Sequence, residues 1–191
     1  MWSYSAMHHQ KFNDFSKMLE LINPTCDLHS EFIDMVAEYQ ERGESRLFDQ
    51  TNLPLIQENF SAYIQYLENN SKGINLKPGF VPATTFWLVA QRKLILGESQ
   101  LRHWLVPNLE HRGGHIGYMI RPLQRSKGYG TQILAMTLEK ASNIGLSRVL
   151  LTCNQDNLAS ARIIQKNQGK LASEGFLENS DTVISRYWID L

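Results

Sequence analysis

Apolar residues recur at helical spacing in two stretches of the first third of the chain. The first stretch predicts a helix over residues 30–42, with Ser30 as its N-cap. The second begins at Pro54, a residue suited to a first helical turn, and its apolar stripe runs through residues 56–67. A short apolar run at residues 17–22 precedes both and is predicted to be a strand.

Strand patterns follow a loop at residues 69–82 that contains glycine, proline and asparagine. Three runs rich in β-branched, aromatic and aliphatic residues come close together, with a turn at residues 107–114 before the last of them. They predict a meander of strands over residues 84–91, 93–105 and 115–121.

The last third of the chain alternates between helical and strand patterns. A near-continuous apolar run at residues 148–153 is typical of a buried strand. Helical patterns lie on either side of it, over residues 131–145 and from a cap at Asp156 or Asn157 to residue 167. Two final strands are predicted at residues 170–174 and 182–189.

This order of elements, β-α-α-β-β-β-α-β-α-β-β, predicts an α/β fold of the α+β type: a central mixed sheet with helices on both faces. No linker or internal repeat divides the chain, so residues 17–191 are predicted to form one domain. Residues 1–16 have no clear period and are predicted to be a loose N-terminal extension.

Charge and composition narrow the classes of partner. Nineteen basic residues balance nineteen acidic ones, so no overall field favours nucleic acid or a membrane surface. No apolar run approaches the ~20 residues that span a bilayer. The two cysteines, Cys26 and Cys153, indicate a reducing compartment rather than a disulfide framework, and we expect a cytoplasmic protein.

The glycine turn at residues 125–130 carries the strongest chemical signal. It connects the strand predicted at 115–121 to the helix that follows, where free N–H groups and the helix dipole favour an anion. Gly128 and Gly130 allow the backbone to approach a ligand, and Arg125 and Lys127 add positive charge. The pattern therefore predicts a phosphate site.

Two common nucleotide motifs do not match this turn. A Walker loop requires lysine after its last glycine, whereas Lys127 precedes Gly128. A dinucleotide fingerprint requires a third glycine where Ile133 stands. The turn does match the pattern Gln/Arg-x-x-Gly-x-Gly.

With its flanking segments, the chain resembles the GNAT acetyltransferase superfamily over roughly residues 17–191. The segments are Gly-Gly-His-Ile-Gly-Tyr-Met-Ile-Arg-Pro at 113–122 and Leu-Thr-Cys-Asn-Gln-Asp-Asn-Leu-Ala-Ser-Ala at 151–161. Together with Leu-Arg-His at 101–103, they resemble a bacterial branch of predicted acetyltransferases.

The resemblance implies acetyl-CoA as cosubstrate and no metal. The pantetheine of acetyl-CoA is expected in a V-shaped gap between the strands at 115–121 and 148–153. Its amides are expected to pair with the backbone of the first strand, as an added β-strand would. Its pyrophosphate is expected on N–H groups of the glycine turn. The implied cofactor residues are Tyr118, Met119, Ile120, Arg125, Ser126, Lys127, Gly128, Tyr129, Gly130, Thr131, Asn154 and Asn157. Asn157 is equally suited to cap the following helix.

The residues that would move protons depart from the family pattern. An alkylammonium with a pKa of about 10.4 costs roughly 4.6 kcal/mol to deprotonate at pH 7, so a base is expected. His115 stands near the position of the usual glutamate and is the first candidate; Glu98 on the preceding strand is the second. Ile164 occupies the position of the tyrosine that usually acts as general acid in this family. Tyr118 offers another hydroxyl on the cofactor strand.

The predicted activity is acetyl transfer to a primary amine by direct attack in a ternary complex. The alternatives are a non-catalytic acyl-CoA-binding regulator and an acyltransferase with a longer acyl or aminoacyl-tRNA donor. The acceptor is expected to be a small molecule or a peptide. In this fold its binding site is shaped by the early helices, the loop at 43–54 and the final strands. A monomer and a homodimer both remain open.

Overall fold

The computed structural model describes residues 19–44, 53–177 and 180–191. Its strands are β1 (Leu19–Ile22), β2 (Ala83–Ala90), β3 (Leu94–Arg102), β4 (Ile116–Ile120), β5 (Arg148–Asn154), β6 (Lys170–Phe176) and β7 (Val183–Asp190). Its α-helices are α1 (His29–Glu41), α2 (Leu53–Glu58), α3 (Phe60–Lys72), α4 (Pro107–His111), α5 (Tyr129–Asn143) and α6 (Leu158–Lys166). The predicted extension at residues 1–16 lies outside the described residues.

The strands form two antiparallel sheets. The first has the order β1-β2-β3-β4 and the second the order β5-β7-β6. Helix α5 connects β4, the last strand of the first sheet, to β5, an outer strand of the second. The predicted α/β fold class is therefore correct. The predicted central mixed sheet is instead split between β4 and β5, and the described pairings within each part are antiparallel.

Each face of the first sheet has its own core, because successive side chains of a strand point to opposite faces. Phe86 and Leu88 of β2 pack with Ile133 of α5. The residues between and beyond them, Trp87 and Val89, pack instead with the apolar sides of α1 and α3. Helices thus cover both faces, as the hydrophobic pattern predicted.

Three local features differ most from the prediction. Ser30 is not the N-cap, because α1 begins at His29 after a 3₁₀ turn at Cys26–Leu28. The second predicted helix is broken, since Asn59 caps α3 by accepting from Ala62 N–H at 3.1 Å. The turn predicted after Pro107 contains the short helix α4. None of the described helices has the length and hydropathy to cross a membrane.

Candidate functional site

A groove opens where the two sheets separate. His115 N–H donates to Leu150 O at 2.7 Å just before β4 begins, and the strands then belong to different sheets. The groove beside β4 has a volume of about 660 Å³, a size typical of small-molecule sites. Its described lining is Glu44, Tyr118, Met119, Ile120, Gln124, Arg125, Ser126, Gly128, Tyr129, Gly130, Thr131, Asn157, Ala159, Ser160, Ile163 and Lys166.

The backbone of β4 offers hydrogen-bonding groups to this groove. Arg121 N–H donates to Leu96 O on β3 at 2.9 Å. Since the backbone groups of an antiparallel strand alternate in direction, those of Tyr118 and Ile120 point away from β3. Ile120 O accordingly accepts from the Tyr39 hydroxyl at 2.9 Å. An extended ligand can therefore pair with this side of β4.

The turn after β4 ends at a helix N-terminus. Ser126 and Gly128 have left-handed backbone angles, with φ of 62° and 87°, and Gly128 is the N-cap of α5. An added Cβ at Gly128 would meet no atom within 4 Å, but the positive φ favours glycine. The N–H groups of the first helical turn, at Tyr129 and Gly130, have no intrahelical acceptor and suit an anion.

Gly130 lies where α5 packs against α6. A Cβ at this position would lie 2.6 Å from Ile163 Cδ1 on α6. The absence of a side chain thus lets α5 and α6 approach each other beside the groove. The two glycines of the motif consequently have different physical roles.

Acidic residues of α1 hold the turn in place. Arg121, only 7% exposed, donates from Nε to Glu38 at 2.7 Å and from an Nη atom to Glu31 at 2.8 Å. The second oxygen of Glu38 accepts from Leu123 N–H at 3.1 Å. A buried arginine requires such partners, so this network fixes the start of the turn against α1.

Arg125 already carries an anionic partner. Both of its terminal nitrogens donate to Glu44, at 2.8 and 2.6 Å, and its Nε donates to Ile120 O at 3.1 Å. Hydrogen bonding to Arg125 lowers the pKa of Glu44. Glu44 and Arg125 both line the groove, so a carboxylate lies beside the predicted phosphate site.

Two of the expected cofactor residues lie outside the described lining of the groove. Lys127 turns back along its own loop, where Nζ donates to Leu123 O at 3.0 Å and to Gln124 Oε1 at 2.9 Å. Asn154 lines a separate polar cleft beside β7. Asn157 does line the groove and is also a cap, because its Oδ1 accepts from Ser160 N–H at 3.1 Å.

The Tyr118 hydroxyl connects β4 to α6. It lies 3.0 Å from Ser160 Oγ, and burial raises the pKa of Tyr118 to about 12. An alkyl thiol has a pKa near 8.5, so proton transfer from this phenol to a thiolate is uphill by roughly 4.8 kcal/mol. The arrangement is suited to packing and hydrogen bonding rather than to full proton transfer.

Glu98 lies in β3, opposite Trp87 on β2 and Met119 on β4. Trp87 Nε1 donates to its Oε2 at 3.0 Å. Burial raises the pKa of Glu98 from 4.5 to about 7, although the Trp87 hydrogen bond acts in the opposite direction. Because its neighbour Met119 lines the groove, this carboxyl combines a position next to the cofactor strand with a pKa suited to a base.

His115 is instead a junction residue. Its Nδ1 accepts from Leu150 N–H at 2.9 Å, and its side chain is 7% exposed. Burial and the charge of Arg102 lower the pKa of His115. A neutral imidazole has one acceptor nitrogen, and that nitrogen is occupied here. This geometry argues against His115 as the base.

Sequence reasoning missed several residues of the groove. Ala159, Ser160, Ile163 and Lys166 recur at helical spacing, so one face of α6 could have been proposed as groove lining once Asn157 was placed. Glu44 carried no such signal, because it meets Arg125 across 81 positions of sequence.

Two further observations concern residues outside the groove. Cys153 is buried, and burial raises the pKa of its thiol, so it has the character of a core residue. Within residues 19–44, 53–177 and 180–191, no cluster of three or more His, Cys, Asp or Glu is arranged to hold a metal ion.

Solved acetyltransferase structures share this fold. RimL, a ribosomal L7/L12 α-N-protein acetyltransferase, was solved with coenzyme A disulfide-bonded to one of its cysteines; it is 16% identical, with 93% of this chain and 96% of RimL covered and a TM-score of 0.62. The microcin C7 self-immunity acetyltransferase MccE, solved with acetyl-CoA and AMP, is 14% identical (91% and 93% covered, TM-score 0.60). A Bacillus anthracis GNAT-family acetyltransferase is 16% identical (91% and 95% covered, TM-score 0.59).

The fold is thus that of the acetyltransferases. A match of the sequence to a family model identifies the family. The family model described as "Acetyltransferase (GNAT) domain" matches residues 31–170. This match spans most of the chain, which therefore belongs to the GNAT acetyltransferase family. No curated protein matches the sequence significantly.

Proposed function

We propose that this chain is an acetyl-CoA-dependent N-acetyltransferase whose cosubstrate binds in the groove beside β4. The observation that carries the proposal is that one groove contains the edge of β4 that faces away from β3, the glycine turn and the N-terminus of α5. The edge of β4 matches the amide-bearing chain of an acyl-CoA, and the turn and the helix N-terminus match its pyrophosphate. The CoA-bound RimL and MccE structures with the same fold support this assignment.

In this proposal the backbone holds most of the cosubstrate. The N–H groups of Tyr129 and Gly130 bind the pyrophosphate at the positive end of the α5 dipole. The outward backbone groups of Tyr118 pair with the pantetheine, and its N–H is the candidate donor to the thioester oxygen. Lys166 of α6 adds positive charge to the same groove. Lys127 and Asn154 have no contact role here.

Acetyl-CoA supplies an acetyl group activated as a thioester. A C–N bond to the acceptor amine forms, the C–S bond breaks, and the amine releases protons to a base or to water. We propose Glu98 as that base. Raising its pKa by about 2.5 units makes proton transfer from an ammonium about 3.4 kcal/mol easier than transfer to an ordinary glutamate.

The expected acceptor is a primary amine. Taking a proton from an α-amino group of pKa near 8 is about 3 kcal/mol easier for Glu98 than taking one from a lysine-like amine. RimL acts on an N-terminal amine of a ribosomal protein, and we propose testing peptide N-termini first. Most of the loop expected to shape the acceptor site, residues 45–52, lies outside the described residues.

A second candidate function is acyl-CoA binding without turnover. The observation in its favour is Ile164, which is fully buried at the position where the family usually has an acidic tyrosine. In a reaction without that acid, the thiolate leaves unassisted or takes a proton from water.

Calorimetry with CoA and thiol release with an amine panel test both functions. We expect binding, and turnover that falls at least about a hundredfold in Glu98→Gln with CoA affinity unchanged. Binding without thiol release from any amine would favour the regulator. Absence of CoA binding by the folded wild-type protein would refute both.

A further inference from the structure

His115 joins the two sheets through a reciprocal pair of hydrogen bonds with one residue. Its N–H donates to Leu150 O at 2.7 Å, and its imidazole Nδ1 accepts from Leu150 N–H at 2.9 Å. A side-chain nitrogen therefore takes the place that a backbone carbonyl would have in a continuing strand ladder. Leu150 is itself buried, so its N–H requires an acceptor.

The neighbouring residues hold the backbone close at the same point. Gly114 has a φ of 63°, and an added Cβ would collide with the Leu150 carbonyl oxygen. Gly113 N–H donates to Thr152 Oγ1 of β5 at 2.9 Å. The glycine pair and the imidazole thus form one closed contact between the sheets, directly before the groove begins.

The surroundings keep the imidazole in its acceptor form. Arg102 of β3 donates to the carbonyl oxygens of Gly113 and Gly114, at 3.3 and 3.0 Å. Its positive charge opposes protonation of His115, which would place a proton on Nδ1 and break the bond to Leu150 N–H. The Trp188 ring of β7 lies 6.2 Å from the imidazole ring, centroid to centroid.

We propose that His115 is a positioning residue that sets where β4 and β5 diverge, and thereby the width of the groove for acyl-CoA. Because the Leu150 N–H donates to Nδ1, it is not available to a backbone carbonyl of β4. The strands therefore separate after His115, and the backbone groups of β4 that face away from β3 remain available to a ligand. This role rests on the proposed function, because it assumes that an acyl-CoA pairs with β4. It differs from catalysis, since His115 is not among the described residues that line the groove.

The test compares two substitutions at this position. His115→Asn keeps an acceptor, Oδ1, where Nδ1 stands, whereas His115→Leu removes it at similar volume. His115→Leu is expected to raise the dissociation constant for CoA and the KM for acetyl-CoA by about tenfold, equivalent to 1.4 kcal/mol. His115→Asn is expected to restore most of the affinity, with kcat changing less than KM in both variants.

Other outcomes overturn the proposal. A large loss of kcat in both variants with unchanged CoA affinity would make His115 the base. Lower melting temperatures with wild-type CoA affinity would make it structural only. Wild-type protein that binds no CoA would refute the proposed function instead, which separates the two failures.

A measurement on the wild-type protein covers the case in which His115→Leu does not fold. Imidazole ¹⁵N chemical shifts report which nitrogen is protonated. The proposal requires an unprotonated Nδ1 with CoA bound, and a proton on Nδ1 would overturn it.

Discussion

Replacing Glu98 by glutamine should make the protein more stable at pH 8 while leaving its stability near pH 4.5 almost unchanged. Glutamine has the shape of a protonated glutamate and keeps an oxygen for the Trp87 N–H, which donates to Glu98 at 3.0 Å. The substitution therefore removes the charge and little else. The expected difference is a property of the folded protein and does not require catalysis.

The size and sign follow from the pKa of Glu98, which burial raises from 4.5 to about 7. Between these values the folded state binds more protons than the unfolded state, so the free energy of unfolding falls as pH rises through this window. A shift of about 2.5 units corresponds to a loss of at most about 3.4 kcal/mol, complete above pH 7 to 8. Glutamine has no such loss.

Thermal unfolding of both proteins between pH 4.5 and 8.5 measures the effect. A difference of about 3 kcal/mol in a chain of this size corresponds to a melting temperature about 6–12 °C higher for Glu98→Gln at pH 8. Glu139→Gln, at an exposed site on α5, is the matched control and should parallel the wild type. If the melting temperatures of Glu98→Gln and the wild type also change in parallel with pH, the pKa of Glu98 is not raised by burial. The case for Glu98 as the base then fails.

Two further changes test the groove. Gly128→Ala and Gly145→Ala place a side chain at nearly the same positive φ, 87° and 88°, each with open space around Cβ. Both variants should lose about 1–2 kcal/mol of stability. Only Gly128→Ala should weaken CoA binding in calorimetry. If the two variants bind CoA with equal affinity, the glycine turn is not part of the CoA site. Glu44→Gln removes the carboxylate that pairs with Arg125 and should tighten CoA binding severalfold at low salt, less so at high salt. Glu41→Gln, at an exposed site, is its control. Weaker CoA binding by Glu44→Gln would mean that Glu44 orients Arg125 instead.

The sequence predicted the features that depend on local spacing. The order of helices and strands follows from hydrophobic periodicity, and the structure reproduces that order except for the break between α2 and α3 and the short helix α4. The glycine turn was recognisable because Gly128 and the helix after it lie within a few residues of each other. Asn157 was recognisable as a helix cap for the same reason.

Features that depend on long-range pairing could not be predicted in this way. His115 looks like a base in sequence because imidazole titrates near neutrality, but its role depends on Leu150, 35 positions away. The split of the sheet also depends on that contact. Glu98 shows the reverse case: a surface-type residue in sequence becomes a group with a raised pKa only when β2 and β4 enclose it.

The two separate cores of the first sheet have an evolutionary consequence. Phe32 of α1 stacks on Trp87 at 4.8 Å between ring centroids, and both belong to the core on the face opposite α5. Substitutions accumulating in that core can reshape the side of the sheet that carries Glu98 without repacking Ile133 and the residues around it on the other face. In the proposed function, selection can thus change which amine is accepted while the layer beneath the groove beside β4 stays constant, so the two faces of one sheet can evolve independently.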